Sequence, residues 1–246
     1  VKVVGIVGYK KSGKTFFITK LAEFLKNKGL KVGVLKSIHG ELTDKGTDTG
    51  KFTKVADGVG AITHTGVSLF IKEKLSFDKM LSLIGGDVVL VEGFKERTDY
   101  PRIILFRTES EIESLSNGLE IAYASLDNYT GKYRPFYPIS ELDRYLPEIF
   151  ELIMKKAFKL PGIDCGSCGF PTCQGLGREI LLGTKSLADC VVLSAKKDVV
   201  LKVDGKTVPL LPFVEDLLKN MTLEALSTLK GIDGDTYTIT IKKKGD

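Results

Sequence analysis

Near its amino terminus the chain reads Gly8-Tyr-Lys-Lys-Ser-Gly13-Lys14-Thr15, which fits the pattern G-x-x-x-x-G-K-[ST]. Residues of these types at this spacing bind the phosphates of a nucleotide. Glycines let the backbone turn tightly, so that successive N–H groups point at one phosphate, and a helix opening at the end of the loop adds positive partial charge. In such a loop Lys14 reaches the β- and γ-phosphates and the Thr15 hydroxyl ligates Mg²⁺. Gly8, Lys10, Lys11, Ser12, Gly13 and Phe16 complete the expected nucleotide-binding set. A second acid must help to place magnesium. Glu92, at the end of the apolar run Val88-Val-Leu-Val91, is the candidate, because Asp87 at the other end of that run lies about 17 Å away at 3.3 Å per residue.

The second pattern is C-x₂-C-x₄-C-x₁₆-C, made by Cys165, Cys168, Cys173 and Cys190, which are all the cysteines of the chain. Three thiolates close together, interleaved with Gly162, Gly166, Gly169 and Gly175, let one tight loop curl round a soft polymetallic centre while a fourth arrives from a later element. That suits [4Fe–4S] ligation. Zinc is the rival, although a structural zinc ribbon usually pairs two C-x-x-C knuckles and this chain has one; disulfides are a third reading. A thiolate-bound cluster implies a reducing cytosol.

The elements that must position these groups follow from hydrophobic periodicity. Over the first 160 residues short β-branched runs alternate with helix-like stretches, which predicts an α/β fold, a P-loop NTPase with a mostly parallel sheet flanked by helices. Val3–Val7 reads as the first strand, not as a signal peptide, and Phe16–Lys28 as the helix after the loop. Lys31–Lys36 gives a second strand, followed by a polar loop over 41–51. Val59–Thr63 and Ser68–Lys72 predict a hairpin, Asp78–Leu83 a short helix, and Asp87–Glu92 a central strand covered on both faces. Arg102–Phe106 and Leu119–Ala124 add strands, and Ile139–Phe158 a helix. Pro161-Gly162 then breaks the chain, which sets the expected division into a nucleotide-binding domain over 1–158 and a small iron–sulfur domain with an α+β tail over 159–246. In that tail, Asp204-Gly205 predicts a hairpin within 198–210, Phe213–Asn220 and Leu223–Leu229 two helices, and Thr236–Ile241 a strand.

Three pieces together resemble a family: the Gly8–Thr15 loop, Lys36-Ser-Ile-His39 followed by Asp44-Lys-Gly-Thr-Asp48-Thr49, and Val91-Glu92-Gly93-Phe94-Lys95 leading to Pro101-Arg-Ile. Over roughly residues 2 to 125 they are similar to molybdopterin-guanine dinucleotide biosynthesis protein B, MobB. Where that family has a histidine-rich Lys-His-x-His-His, this chain keeps Lys36 and His39. The resemblance implies a GTP-binding adaptor of molybdenum or tungsten cofactor biosynthesis with weak GTPase activity. Its implied partners are the MobA-type guanylyltransferase that attaches GMP to molybdopterin, the molybdo- or tungsto-apoenzymes, and a second copy of the chain. Lys36, His39, Asp48, Thr49 and Lys95 become switch or product contacts. No Asn-Lys-x-Asp motif reads guanine, so the preference for GTP comes from the resemblance, and Ala122–Asp127 at a strand end is a candidate base-contact loop. Separately, Pro161-Gly-Ile-Asp-Cys-Gly-Ser-Cys-Gly-Phe-Pro-Thr-Cys resembles the four-cysteine iron–sulfur domain of the electron-transport subunit RnfB and of the large corrinoid iron–sulfur subunit of acetyl-CoA decarbonylase/synthase.

Composition bounds these readings. Of 246 residues, 43% are hydrophobic and 27% charged, which excludes disordered, collagen-like and coiled-coil classes, and no apolar run is long enough for a membrane span. The net charge of +5 is spread along the chain apart from Lys242-Lys243-Lys244, a solvated tail, so nucleic acid is not indicated. Two other activities remain open at this level: a nucleotide-driven electron-transfer or metallocluster-insertion factor, and a P-loop small-molecule kinase.

Overall fold

The computed structural model describes residues 1–38, 48–194, 198–208, 210–231, 234 and 236–241. His39, the 41–47 part of the polar loop and Lys242–Lys244 lie outside the described residues. In chain order, β1 (Lys2–Val7) leads to α1 (Lys14–Asn27), β2 (Val32–Lys36), α2 (Asp48–Val55), β3 (Gly58–Thr63), β4 (Gly66–Ile71) and α3 (Phe77–Ile84). Then come β5 (Val88–Glu92), β6 (Arg102–Leu105), α4 (Glu109–Leu115), β7 (Glu120–Ser125), β8 (Phe136–Pro138) and α5 (Leu142–Lys156). The remainder is α6 (Cys173–Leu182), α7 (Val191–Ser194), β9 (Leu201–Val203), β10 (Lys206–Val208) and α8 (Pro212–Ser227).

Six strands form one sheet in the order β2-β5-β1-β6-β7-β8, and each neighbouring pair is parallel. Alternation along the strands sends side chains to two separate layers. Val4, Ile6, Val88 and Leu90 meet Phe17, Leu21 and Leu25 of α1 and Leu146, Ile149 and Ile153 of α5 on one face. Val3, Val89 and Val91 meet Leu81 of α3 on the other, beside Tyr100. Burying each such large side chain contributes about 1.5–3 kcal/mol, which is why β1 and β5 read as unbroken apolar runs. With β1 inside the sheet, the loop that follows it emerges at the carboxyl edge of the strands, where α/β folds bind ligands.

The chain divides into two compact units, Val1–Cys190 and Val191–Asp246. The break expected near residue 160 follows the end of α5, whereas this division comes at the last cysteine. In the second unit, β9 and β10 pair antiparallel around Asp204 and Gly205, which take φ values of 50° and 75° as the hairpin turn requires. Glu215 of α8 accepts the Asp198 and Val199 N–H groups at 2.7 and 3.2 Å. One continuous helix replaces the expected two, and 236–241 forms no strand. No helix among the described residues is long and apolar enough to cross a membrane.

Other differences have local causes. The polar stretch expected as loop up to Lys51 becomes helical from Asp48; Thr49 and Gly50 are poor helix formers, and this hid α2. The α4 helix follows Thr108 with Glu109 and Glu111 in its first turn, an N-terminal signal unused in the sequence reading. Between the cysteines α6 replaces open loop, started by the Thr172 side chain accepting the Gly175 N–H at 3.1 Å.

Candidate functional site

The glycine-rich loop leaves β1 at Val7 and enters α1 at Lys14. A Cβ on Gly8 would stand 2.5 Å from Ser12 Oγ and against the Leu105 carbonyl oxygen, so only glycine lets the loop pass beside β6. Ser12 is buried, whereas Lys10, Lys11, Thr15 and Phe16 face solvent. Gly13 caps α1 with a left-handed φ of 86° and offers no side chain to the first N–H groups, and the first turn carries no acid. These donors and the helix dipole therefore favour an anion here. Lys14 Nζ donates to the Tyr9 carbonyl at 2.7 Å and lies 3.5 Å from Ser12 Oγ, curled over the loop where a phosphate would sit.

Register brings the second acid alongside. Glu92 ends β5 opposite Ile6 of β1 and Lys36 of β2, and its carboxylate pairs with Lys36 Nζ at 3.1 Å. Lys95 stands over the Tyr9 ring at 3.9 Å, and the Tyr9 hydroxyl lies 3.2 Å from Ser114 Oγ. Burial lowers the Lys14 ammonium below its ordinary pKa; Glu92 opposes this, while the nearby Lys95 and Lys36 charges reinforce it. The loop, Lys36, Glu92 and Lys95 are thus brought together at one edge. Glu111, held by Arg107 through Nε at 3.0 Å, also acts on Lys14 and was missed by the sequence reading, since it depends on α4 folding back beside the loop. Three ammonium groups against two carboxylates make an edge that attracts a polyphosphate.

Of the two expected contacts at the start of α2, only the Thr49 side chain is among the described residues. Thr49 opens α2 half-buried and makes no hydrogen bond to the loop among the described residues; the side chain of Asp48 is outside the description. In the strand-end segment Leu126 borders Gly13, where an added Cβ would come within 3.5 Å of its Cδ2, and Ser125 Oγ accepts the Asp127 N–H at 3.2 Å.

The cysteine segment follows α5, which ends at Lys156, and leads through Leu160 and Pro161 to Cys165. Cys165 and Cys168 are partly exposed, Cys173 and Cys190 buried, and no disulfide joins any of them. The Cys173 N–H donates to Asp164 Oδ1 at 2.6 Å at the start of α6, and a capping box between Ser186 and Asp189 shapes the turn before Cys190. Four thiols in a glycine-bent loop fit the donor chemistry of a thiolate-ligated cluster. Among the described residues, however, no three His, Cys, Asp or Glu side chains stand in metal-holding array. The donor set is therefore present without its final convergence.

Beneath this segment lies a buried ion-pair group. Asp99, with a side chain only 3% exposed, binds Arg97 through Nε at 2.9 Å and Lys159 at 2.7 Å. Burial acts to raise the Asp99 carboxyl, but the hydrogen bonds from Arg97 and Lys159 outweigh it and hold the group below its ordinary pKa. The folded state therefore binds fewer protons here than the unfolded chain. Its stabilisation is complete above the ordinary aspartate value of about 3.9 and is lost as pH falls through the lowered value. Asp99→Asn should cost about 3 kcal/mol at pH 7. In urea unfolding the gap from wild type should narrow as pH falls below the ordinary aspartate value of about 3.9; a gap independent of pH would show that the carboxylate charge contributes nothing.

Comparisons with known proteins agree with both halves. Residues 3–125 match the family described as "Molybdopterin guanine dinucleotide synthesis protein B", and residues 160–192 the family described as "Putative Fe-S cluster". The chain is 27% identical over 241 residues to the "Putative molybdopterin-guanine dinucleotide biosynthesis adapter protein" of Methanocaldococcus jannaschii, covering 94% of this chain and 93% of that one. It is 28% identical over 139 residues to the "Probable molybdopterin-guanine dinucleotide biosynthesis adapter protein" of Bacillus subtilis, covering 52% and 79%. Among solved structures, a MobB homolog from Bacillus stearothermophilus aligns with a TM-score of 0.50 at 25% identity, over 63% of this chain and 99% of that one. Bacillus subtilis MobB aligns at 0.54 and 22% identity, over 62% and 98%, which shows the shared fold. With residues 3–125, half of the chain, matching its model, this chain belongs to the molybdopterin guanine dinucleotide synthesis protein B family, and a segment matching the family described as "Putative Fe-S cluster" follows.

Proposed function

We propose that the protein is a cytoplasmic GTP-binding adaptor of molybdopterin-guanine dinucleotide biosynthesis, with slow GTP hydrolysis and a [4Fe–4S] cluster. The observation that carries the nucleotide half is the set of Lys14, Lys36 and Lys95 ammonium groups gathered round Glu92 at the carboxyl edge of the sheet. In this reading Gly8–Phe16 wrap the β- and γ-phosphates, Thr15 and Glu92 hold Mg²⁺, and Leu126–Asp127 border the base. Cys165, Cys168, Cys173 and Cys190 hold the cluster, which supplies one-electron redox chemistry when bound. The partners are a MobA-type guanylyltransferase and the molybdo- or tungsto-apoenzymes. Slow hydrolysis fits an Arg107 that is tied to Glu111 and, among the described residues, the lack of a side chain placed as a dedicated base.

Titration of anaerobically purified protein with GTP and ATP in the presence of Mg²⁺ tests this. GTP should bind more tightly and release phosphate slowly. Stoichiometric phosphoryl transfer to an added acceptor would establish a kinase instead.

The β3–β4 hairpin supports a homodimer. Val67, Leu69 and Ile71 lie on one face of β4, with Ile62 opposite Val67, and all four are exposed, Ile62 by 88%. An isolated two-stranded sheet with such a stripe is marginal without a cover. Sedimentation equilibrium should find a dimer in the wild type and a monomer in Val67→Asp/Leu69→Asp; equal masses would remove the hairpin from the contact.

A further inference from the structure

The entry to the cysteine segment and the first turns of α6, which starts at Cys173, both attach to the turn that carries the nucleotide-site residues. This turn is the β5–β6 connection, residues 93–101. It leaves Glu92 and immediately places Lys95 over the Tyr9 ring of the P-loop. Farther along it, Asp99 is buried against Arg97 and Lys159. On the amino side of the cysteines, the Leu160 N–H donates to the Asp99 carbonyl at 2.7 Å. Gly162 follows with a φ of 71°, and a Cβ there would lie 2.8 Å from Asp99 Oδ2, so the chain enters the cysteine loop in contact with that carboxylate.

The start of α6 reaches the same turn through Asn117. Cys173 opens α6, and Gln174 and Arg178 of that helix donate to the Asn117 carbonyl, Arg178 at 2.7 Å. Asn117 Nδ2 in turn donates to the Arg97 carbonyl at 3.3 Å. The buried Arg102 guanidinium closes the ring from beneath, donating to the Lys95 and Arg97 carbonyls at 2.9 and 2.5 Å. Asp99 and Arg102 are buried, and Arg102 and Asn117 share the Arg97 carbonyl as acceptor, so displacing one of these groups leaves others unpaired.

The geometry points to the 93–101 connection as a shared support that couples nucleotide binding to metal loading of the cysteine loop, with each strengthening the other. The coupling rests on the nucleotide-binding reading proposed for the Lys14 edge. Drawing Cys165, Cys168, Cys173 and Cys190 onto one metal centre fixes Gly162 and the first turn of α6. Through Asp99 and Asn117 this fixes the backbone that bears Lys95, so the second ligand meets a site whose ordering has already been done.

The test is an equilibrium titration of the full chain with a fluorescent GTP analogue and Mg²⁺, using iron-loaded protein purified anaerobically and the same protein stripped by chelator. Stripping should weaken nucleotide binding by about fivefold or more, the usual lower range of such couplings. In Gln174→Ala/Arg178→Ala, which alters the surface of α6, and in Asp99→Asn, the loaded and stripped forms should agree within about twofold. The double variant keeps the test decisive if stripping unfolds the loop. Measured iron-loaded, it should already bind nucleotide about fivefold more weakly than loaded wild type, and wild-type affinity there would overturn the coupling. Equal affinities of loaded and stripped wild type would overturn it as well while leaving the nucleotide site intact. Failure of both forms to bind would instead remove the nucleotide reading itself and the coupling with it.

Discussion

Lys14→Ala weakens GTP binding by about a hundredfold, while the unliganded protein melts no lower than the wild type. The size follows from the two charge-assisted hydrogen bonds that an ammonium makes to the β- and γ-phosphates. At about 1.5 kcal/mol each they sum to about 3 kcal/mol, and 1.4 kcal/mol is tenfold in affinity. Stability is spared because burial already disfavours the Lys14 charge in the free protein, where among the described residues its Nζ donates to the Tyr9 carbonyl and a distant Ser12 hydroxyl. Calorimetric titration reads the first quantity and thermal unfolding with and without GTP the second. A ligand at a hundred times its Kd stabilises the wild type by about 2.7 kcal/mol, and nearly all of that increment should vanish in the variant. Retention of wild-type affinity would place the triphosphate elsewhere.

Cys173→Ser removes the cluster and leaves the sheet. Cys173 is buried at the first turn of α6, with its N–H on Asp164, and serine preserves both the volume and the backbone bond. What it removes is the soft thiolate that iron requires. Iron per chain should drop from about four to below one, with loss of the iron–sulfur EPR signal in the reduced protein. The core between α1, α5 and the sheet includes none of the four cysteines, so far-ultraviolet dichroism should be preserved. Nucleotide should still bind, at the affinity of the iron-stripped wild type. One zinc per chain in the wild type, with no iron, would replace the cluster by a structural metal.

Much of this protein is decided by contiguous residues. The P-loop follows from Gly8, Gly13, Lys14 and Thr15, because a backbone nest needs particular φ values and one adjoining helix, and both are set within eight residues. The apolar run ahead of Glu92 likewise announces a strand covered on both faces, and Asp204-Gly205 a hairpin, since these signals are local. The cysteine spacing declares its donor chemistry for the same reason.

What contiguous residues do not specify is which distant groups meet. Glu111 joins the Lys14 edge only because α4 packs on β6, and Lys36 reaches Glu92 only because β2 lies beside β5 in register. The attachment of the cysteine segment to the sheet was equally hidden. It depends on Asp99, Lys159, Asn117 and Arg178, polar residues that as a sequence read as ordinary surface, and that pair Asp99 with Lys159 and join Arg178 to the Asn117 carbonyl once the parallel crossovers bring them together. Backbone motifs are short-range and survive in one dimension, while charge pairing is set by spatial neighbours, which only the topology of the sheet supplies.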